Sequence, residues 1–143
     1  MKTYIPKEKD FDRKVYLVNA SGKNLGRLAS RVAQLLIGKG KAVFAMDQLS
    51  GDQVIIINAS EIEVTGPSKK KKKLYTHYTG FSGGLKTITY EKLMEKNPEA
   101  ILTRAVTRML PKNKLGQEMR RRLRIYAGPE HRQKAQQPIP IEV

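Results

Sequence analysis

The run GDQVIIINA, residues 51–59, limits the fold more than any other part of the chain. Val54, Ile55, Ile56 and Ile57 are consecutive branched apolar residues bounded by Gly51 and Asp52 on one side and Asn58 on the other. A strand with one wet face alternates apolar and polar residues, so an unbroken run predicts a strand buried on both faces. Upstream, VYLVNA at 15–20 has the branched and aromatic content of another strand, and SGKN turns from it into a helix. In that helix Leu25, Leu28, Ala29, Val32, Leu35 and Leu36 recur at the i, i+3, i+4, i+7 spacing of one buried face, with Arg27, Arg31 and Gln34 on the other. Asn24 or Ser21 caps its start, and Gly38 supplies the left-handed residue that ends it. Strand, helix and doubly buried strand in succession form a βαβ crossover, which needs a parallel sheet and places the chain in the α/β class. With 143 residues, 39% of them hydrophobic, a single core is expected.

Residues 1–14 are polar, mixed in charge and broken by Pro6, and read as an N-terminal extension. Residues 15–127 hold the domain. Residues 128–143, rich in proline and glutamine and without periodicity, read as an extended C-terminal tail lying on a partner or on the protein's own surface. EIEVTG at 61–66 is a short strand or a turn at the sheet rim. TYEKLMEKN suggests a short helix, after which Asn97 caps another with Pro98 at its first position, where a missing N–H costs nothing. Ile101, Leu102, Ala105, Val106 and Met109 line one face of that helix, Arg104 and Arg108 stand one turn apart on another, and Pro111 ends it. A loop, a short helix with Leu115 and Met119 inward, and a last strand near 123–127 follow.

Lysine and arginine total 28 against 13 acids, a formal charge of +15, and self-repulsion on that scale destabilises a compact monomer unless a partner neutralises it. The charge is concentrated. Residues 68–86 hold six lysines and no acid, and residues 104–124 hold eight basic residues and one acid, Glu118. Confinement to two segments is the pattern of a nucleic-acid footprint. In the first, Lys69, Lys70, Lys71, Lys72 and Lys73 precede Tyr75, Tyr78 and Phe81, and Gly80, Gly83 and Gly84 follow. Aromatic rings among lysines stack on bases, and glycines let backbone approach a phosphate. The competing reading is a solvated loop whose tyrosines pack at home, because blocks of like charge are often disordered. The second segment shifts the balance toward RNA. Arginine's planar fork matches phosphate oxygens and stacks on bases, and Arg120, Arg121, Arg122 and Arg124 crowd a helix–strand junction with only Glu118 to pair them. The expected RNA-binding residues are the five lysines with Tyr75, His77, Tyr78 and Lys86, and Arg108, Lys112 and Lys114 with the four arginines.

Other chemistry is excluded by composition and spacing. A helix start after a strand can hold phosphate, but in GKNLGRL three residues separate Gly22 from Gly26, and Arg27 and Leu28 follow. That fits neither the P-loop nor G-x-G-x-x-G. Gly22 is read as a turn residue and Gly26 as a site of close helix–sheet contact. The absence of cysteine removes disulfides, thiolate chemistry and Cys-type zinc sites. His77 and His131 are the only histidines, far apart and without H-E-x-x-H or paired carboxylates. His77 is placed beside a phosphate or base and His131 at a surface contact. No serine occupies a G-x-S-x-G turn. The expectation is no catalytic residue, no cofactor, no metal and no small-molecule substrate. Apolar runs are too short to span a bilayer and the N-terminus lacks the apolar core of a secretory signal, so no membrane partner and an intracellular protein are expected. A nucleotide-dependent enzyme would need acids or histidines clustered near strand ends, and a DNA-binding regulator a helix-turn-helix or dimer seam. The sequence offers neither.

Four stretches together carry a resemblance. NASGKNLGRLASRVAQLLIGKGK, GDQVIIINASEIEVTG, KLYTHYTGFSGGLK and AVTRMLPKNKLGQEMRRRLRIYAGPEHRQKAQQP, in this order, resemble the universal large-subunit ribosomal protein family numbered thirteen, in its bacterial or organelle form. The likeness covers nearly the whole chain, and RMLPKNKLGQEMRRRLRIYAG at 108–128 is its most specific part. It implies a three-layer α/β/α domain around a four-stranded, mainly parallel sheet, a structural rather than enzymatic role, and binding to large-subunit ribosomal RNA from early in assembly. Neighbouring large-subunit proteins are implied partners. The implied location is the cytoplasmic ribosome, or an organelle's where a transit peptide has been removed. The chain departs from the family pattern in FAMDQLSGD at 44–52, where a Pro-His pair and an aspartate are usual and Met46, Asp47 and Leu49 stand instead. Gly51 and Asp52 remain.

Overall fold

The computed structural model describes Tyr4 and residues 6–143. β1 (Val15–Asn19) and β2 (Gln53–Ile57) lie parallel across α1 (Leu25–Ile37), with Val15 opposite Gln53 and Asn19 opposite Ile57. Asn24, rather than Ser21, caps α1, its side-chain oxygen accepting from the Gly26 amide at 3.0 Å, and Gly38 closes the helix at φ 82°. Leu25, Leu28, Ala29, Val32 and Leu36 are buried, as the periodicity predicts. Gly26 is not the point of close contact: it is exposed. That role belongs to Gly51, where a Cβ would stand 1.7 Å from the Leu36 carbonyl oxygen. Beside it the buried Ser50 donates to the Ile37 carbonyl at 3.2 Å, and the Asp52 carboxylate accepts from the Lys14 amide at 2.9 Å and from Lys41 Nζ at 2.5 Å. Residues 50–52 thus bind the end of α1 to the start of β2.

The remaining elements are α2 (Pro67–Lys72), β3 (Leu74–Tyr78), β4 (Leu85–Thr89), α3 (Tyr90–Lys96), α4 (Pro98–Met109), α5 (Lys114–Arg121), β5 (Leu123–Ile125) and β6 (Ile139–Ile141). The main sheet has four strands in the order β5-β2-β1-β6, every pairing parallel, and β3 and β4 form a separate antiparallel pair. The fold is α/β. Helices α1 and α4 contact each other, and their buried residues share one core with Val18, Val54 and Ile56. Asn97 caps α4 by accepting from the Ala100 amide at 3.1 Å, with Pro98 next to it. Met109, expected inward, is exposed because α4 ends there and Leu110 takes the buried place.

The fourth strand comes from an unexpected stretch. Residues 61–66 supply only a bridge between Asn24 and Glu63. The strand is β6, from within the expected tail, with Ile139 opposite Tyr16 and Pro140 opposite Leu17. Proline lacks the N–H that a central strand needs, so an Ile-Pro-Ile strand sits at the sheet edge. The sheet therefore extends past 127, and this end of the tail lies on the protein itself. At the other terminus Glu8–Asp10 make one 3-10 turn, and Arg13 pairs with Glu8 at 3.1 Å. Residues 1–3 and 5 of the expected extension lie outside the described residues. Among the described residues no helix is long and apolar enough to cross a membrane.

Candidate nucleic-acid interface

The lysine run folds as a helix rather than a loop. Pro67 sits in the first turn of α2, where its fixed φ favours helix, lysine tolerates the conformation well, and the Lys73 amide bonds the Lys69 carbonyl at 3.0 Å. Lys69, Lys70, Lys71 and Lys72 are all exposed along it. Beyond Lys73 the chain enters the β3–β4 hairpin, where His77 faces Lys86 and Tyr78 faces Leu85 across the strands. Side chains three apart on a strand point to opposite faces. Tyr75 and Tyr78 are therefore separated: Tyr75 is 5% exposed and belongs to the core, whereas Tyr78 is 58% exposed and Phe81, in the connecting loop, 77%. Tyr75 is thus corrected from a stacking ring to a packed one. His77 and Lys86 are exposed.

The buried Tyr75 ring joins the two basic segments. Lys73 Nζ lies 5.6 Å from its centroid, and the guanidinium carbon of Arg104, from α4, lies 5.5 Å from it. Burial holds the Lys73 ammonium below the ordinary lysine range, and the charges of Arg108 and Lys69 push it the same way. Burial raises the Tyr75 hydroxyl, against the opposing charges of Arg108 and Arg104. Arg108 stands one turn beyond Arg104 on α4.

The arginine cluster divides by environment. Arg122 is half-buried, and its Nη1 donates to the Gly51 carbonyl at 2.7 Å. Burial, then the charge of Arg13, lowers its pKa. It braces the junction of β2 and β5, a structural role in addition to the RNA contact expected of it. Arg121 is exposed and pairs with Glu118 at 2.6 Å, an interaction worth little in water. Arg120, Arg124, Lys112 and Lys114 are exposed. Arg120 borders one hollow with Arg104 and another with Arg124, with Glu99 and Thr103 lining both, so it links the Tyr75 region to β5. Among the described ion pairs, Arg121 is the only expected RNA-binding cation with an acidic partner. His131 is half-buried, with Nδ1 buried and unpartnered, rather than a simple surface contact. Among the described residues no cluster of His, Asp or Glu has the makings of a metal site.

The sequence profile of a family described as ribosomal protein L13 matches residues 13–132. The chain is similar to large ribosomal subunit protein uL13 of Finegoldia magna, 48% identical over all of this chain and 99% of that one. It is equally similar, at 48%, to the uL13 of Alkalilimnicola ehrlichii over 100% of both chains, and 47% identical to that of Thermobifida fusca over 100% of this chain and 95% of the other. The chain belongs to the ribosomal protein L13 family. Members of the L13 family are ribosomal proteins and not enzymes.

The matched region of this L13 family member runs from the residues before β1 to beyond β5 and so includes both basic segments. Within it, Arg104 is the residue that sequence reasoning left out of the site. Its position one turn before Arg108 is the available signal, but only the inward side of β3 reveals that Arg104 meets Tyr75. In the divergent 44–52 stretch, Met46 is exposed, while the retained Gly51 and Asp52 hold the core contacts described above.

Proposed function

We propose that this chain is a structural constituent of the large ribosomal subunit that binds large-subunit ribosomal RNA through its basic surfaces and supports early subunit assembly. One observation carries the reading: apart from Arg121, no cation in the expected set has an acidic partner among the described ion pairs. A protein of this charge needs an external polyanion, and phosphates supply it. Lys69, Lys70, Lys71 and Lys72 on α2, Lys86 on β4, Lys112 before α5, Lys114 and Arg120 on α5, and Arg124 on β5 meet the RNA backbone. His77 faces Lys86 across the hairpin. Tyr78 and Phe81, exposed at the end of the hairpin, take stacked bases. Neighbouring large-subunit proteins complete the surroundings in the ribosome of the cytoplasm, or of an organelle if a transit peptide has been removed. In a sucrose gradient of a lysate, the tagged chain should sediment with large subunits and their precursors and leave them in high salt. Sedimentation only as a free small protein would reject the proposal.

A further inference from the structure

We propose that Lys69, Lys73 and Arg108 form one phosphate-binding site at the junction of α2, β3 and α4, with Tyr75 and Arg104 as its frame. The inference rests on the RNA reading above and names a point of contact within it. Lys73 and Arg104 are far apart in sequence but meet at the inward-turned Tyr75 ring, with Lys69 one turn before Lys73 and Arg108 one turn after Arg104 on α4. Like charges do not gather in a free protein without cost. Here they gather beside a buried ring, and none of Lys69, Lys73, Arg104 or Arg108 has an acid partner among the described ion pairs. Burial first, and then the charges of Arg108 and Lys69, depress the pKa of Lys73.

An anion with several oxygens relieves the strain directly. Lysine and arginine donate charge-assisted hydrogen bonds to phosphate, and a half-dry setting strengthens them. Lys73 is half-buried, so its stem is held by the fold, whereas Lys70, Lys71 and Lys72 are exposed on the helix. A cation already held in place loses less freedom on binding. Arg104, over the Tyr75 ring, keeps the ring in position between the two elements. The site would hold one phosphate of the backbone at a fixed place, while the remaining lysines neutralise phosphates without fixing them.

The test uses the full chain and inorganic pyrophosphate, with ionic strength held constant by potassium chloride. Thermal melts should show saturable stabilisation of the wild type. Arg108→Gln, an exposed change with no described hydrogen bond to lose, should weaken the apparent affinity about tenfold, and Lys73→Gln should do the same. Lys39→Gln, a surface charge after α1, should leave it unchanged. Equal responses from the wild type and all three variants would overturn the site. In a second arm, Arg108→Gln should reduce the slope of log affinity against log salt for a large-subunit RNA fragment by about 0.7–0.9. Loss of the pyrophosphate response without any change of RNA slope would overturn RNA as the ligand. A wild type that responds to pyrophosphate as expected but binds no RNA would uphold the anion site and reject the RNA reading.

Discussion

A methyl group added at Gly51 would run into the Leu36 carbonyl oxygen, whereas one added at Gly26 would meet nothing nearer than Asn24 Oδ1 at 3.5 Å. Gly51→Ala should therefore cost about 1–3 kcal/mol by overpacking, while Gly26→Ala, in the first turn of a helix, should be neutral or gain up to about 1 kcal/mol. Urea melts of both variants check this, and similar losses at the two positions would contradict the placement of Gly51. Lys73 gives a prediction in pH. Its folded pKa lies below the ordinary lysine value of 10.5, so between the two values the unfolded chain binds more protons and stability rises with pH. Below that window the charge destabilises the fold. Lys73→Met, which keeps the stem and removes the charge, should raise the Tm of the free protein at pH 7, and the gain should shrink as pH rises through that window and be gone above 10.5. A lower Tm at pH 7 would mean that attraction to the Tyr75 ring, about 0.5–2 kcal/mol for such contacts, outweighs burial and repulsion.

Among the elements, α1 is the clearest case of a sequence pattern becoming structure. Leu28 and Val32 are fully buried and Gln34 is exposed. Leu28→Ala and Val32→Ala should each cost roughly 1–4 kcal/mol, against under about 0.5 for Gln34→Ala. Equal costs would mean the helix face is misassigned. This element is legible because its cap, its period and its terminal glycine all agree, and β2 is legible because burial on both faces leaves no polar residue in the run. The β3–β4 hairpin is not. Its faces mix threonine with leucine and tyrosine, and a run of lysines masks the alternation that places Tyr75 inward and Tyr78 outward. Nor is β6, since Pro138 and Pro140 argue against a strand unless it lies at an edge. That edge has a measurable role. Deleting residues 138–143 removes the cover from β1 and the contact of Val143 with the core. The deletion should cost about 1–3 kcal/mol in a urea melt, and an unchanged midpoint would show that β6 adds nothing to the sheet.

For the molecule as a whole, net charge is the property that the sequence displays most openly and the fold refines. The two basic segments are visible as charge. Their meeting around Tyr75, the helical form of the lysine run and the withdrawal of Arg122 to brace β2 depend on strand register and burial, which charge counting does not contain. The exposed cations are proposed to act on RNA through its phosphates. Each neutralised phosphate releases counterions, so log affinity should fall with log salt by roughly 0.7–0.9 per contact. Tyr78→Ala should cost roughly 1–3 kcal/mol of affinity with little change in that slope, since it removes a stacking ring and no charge. The most direct measurement is the salt series itself, made on a large-subunit RNA fragment with the wild type and with Lys69, Lys70 and Lys71 changed together to glutamine, using Lys7→Gln as the control. The triple variant should fold with an unchanged circular dichroism spectrum and flatten the slope by about 1–3 units. A slope equal to that of the wild type would show that α2 carries solvated charge only, and would contradict the account.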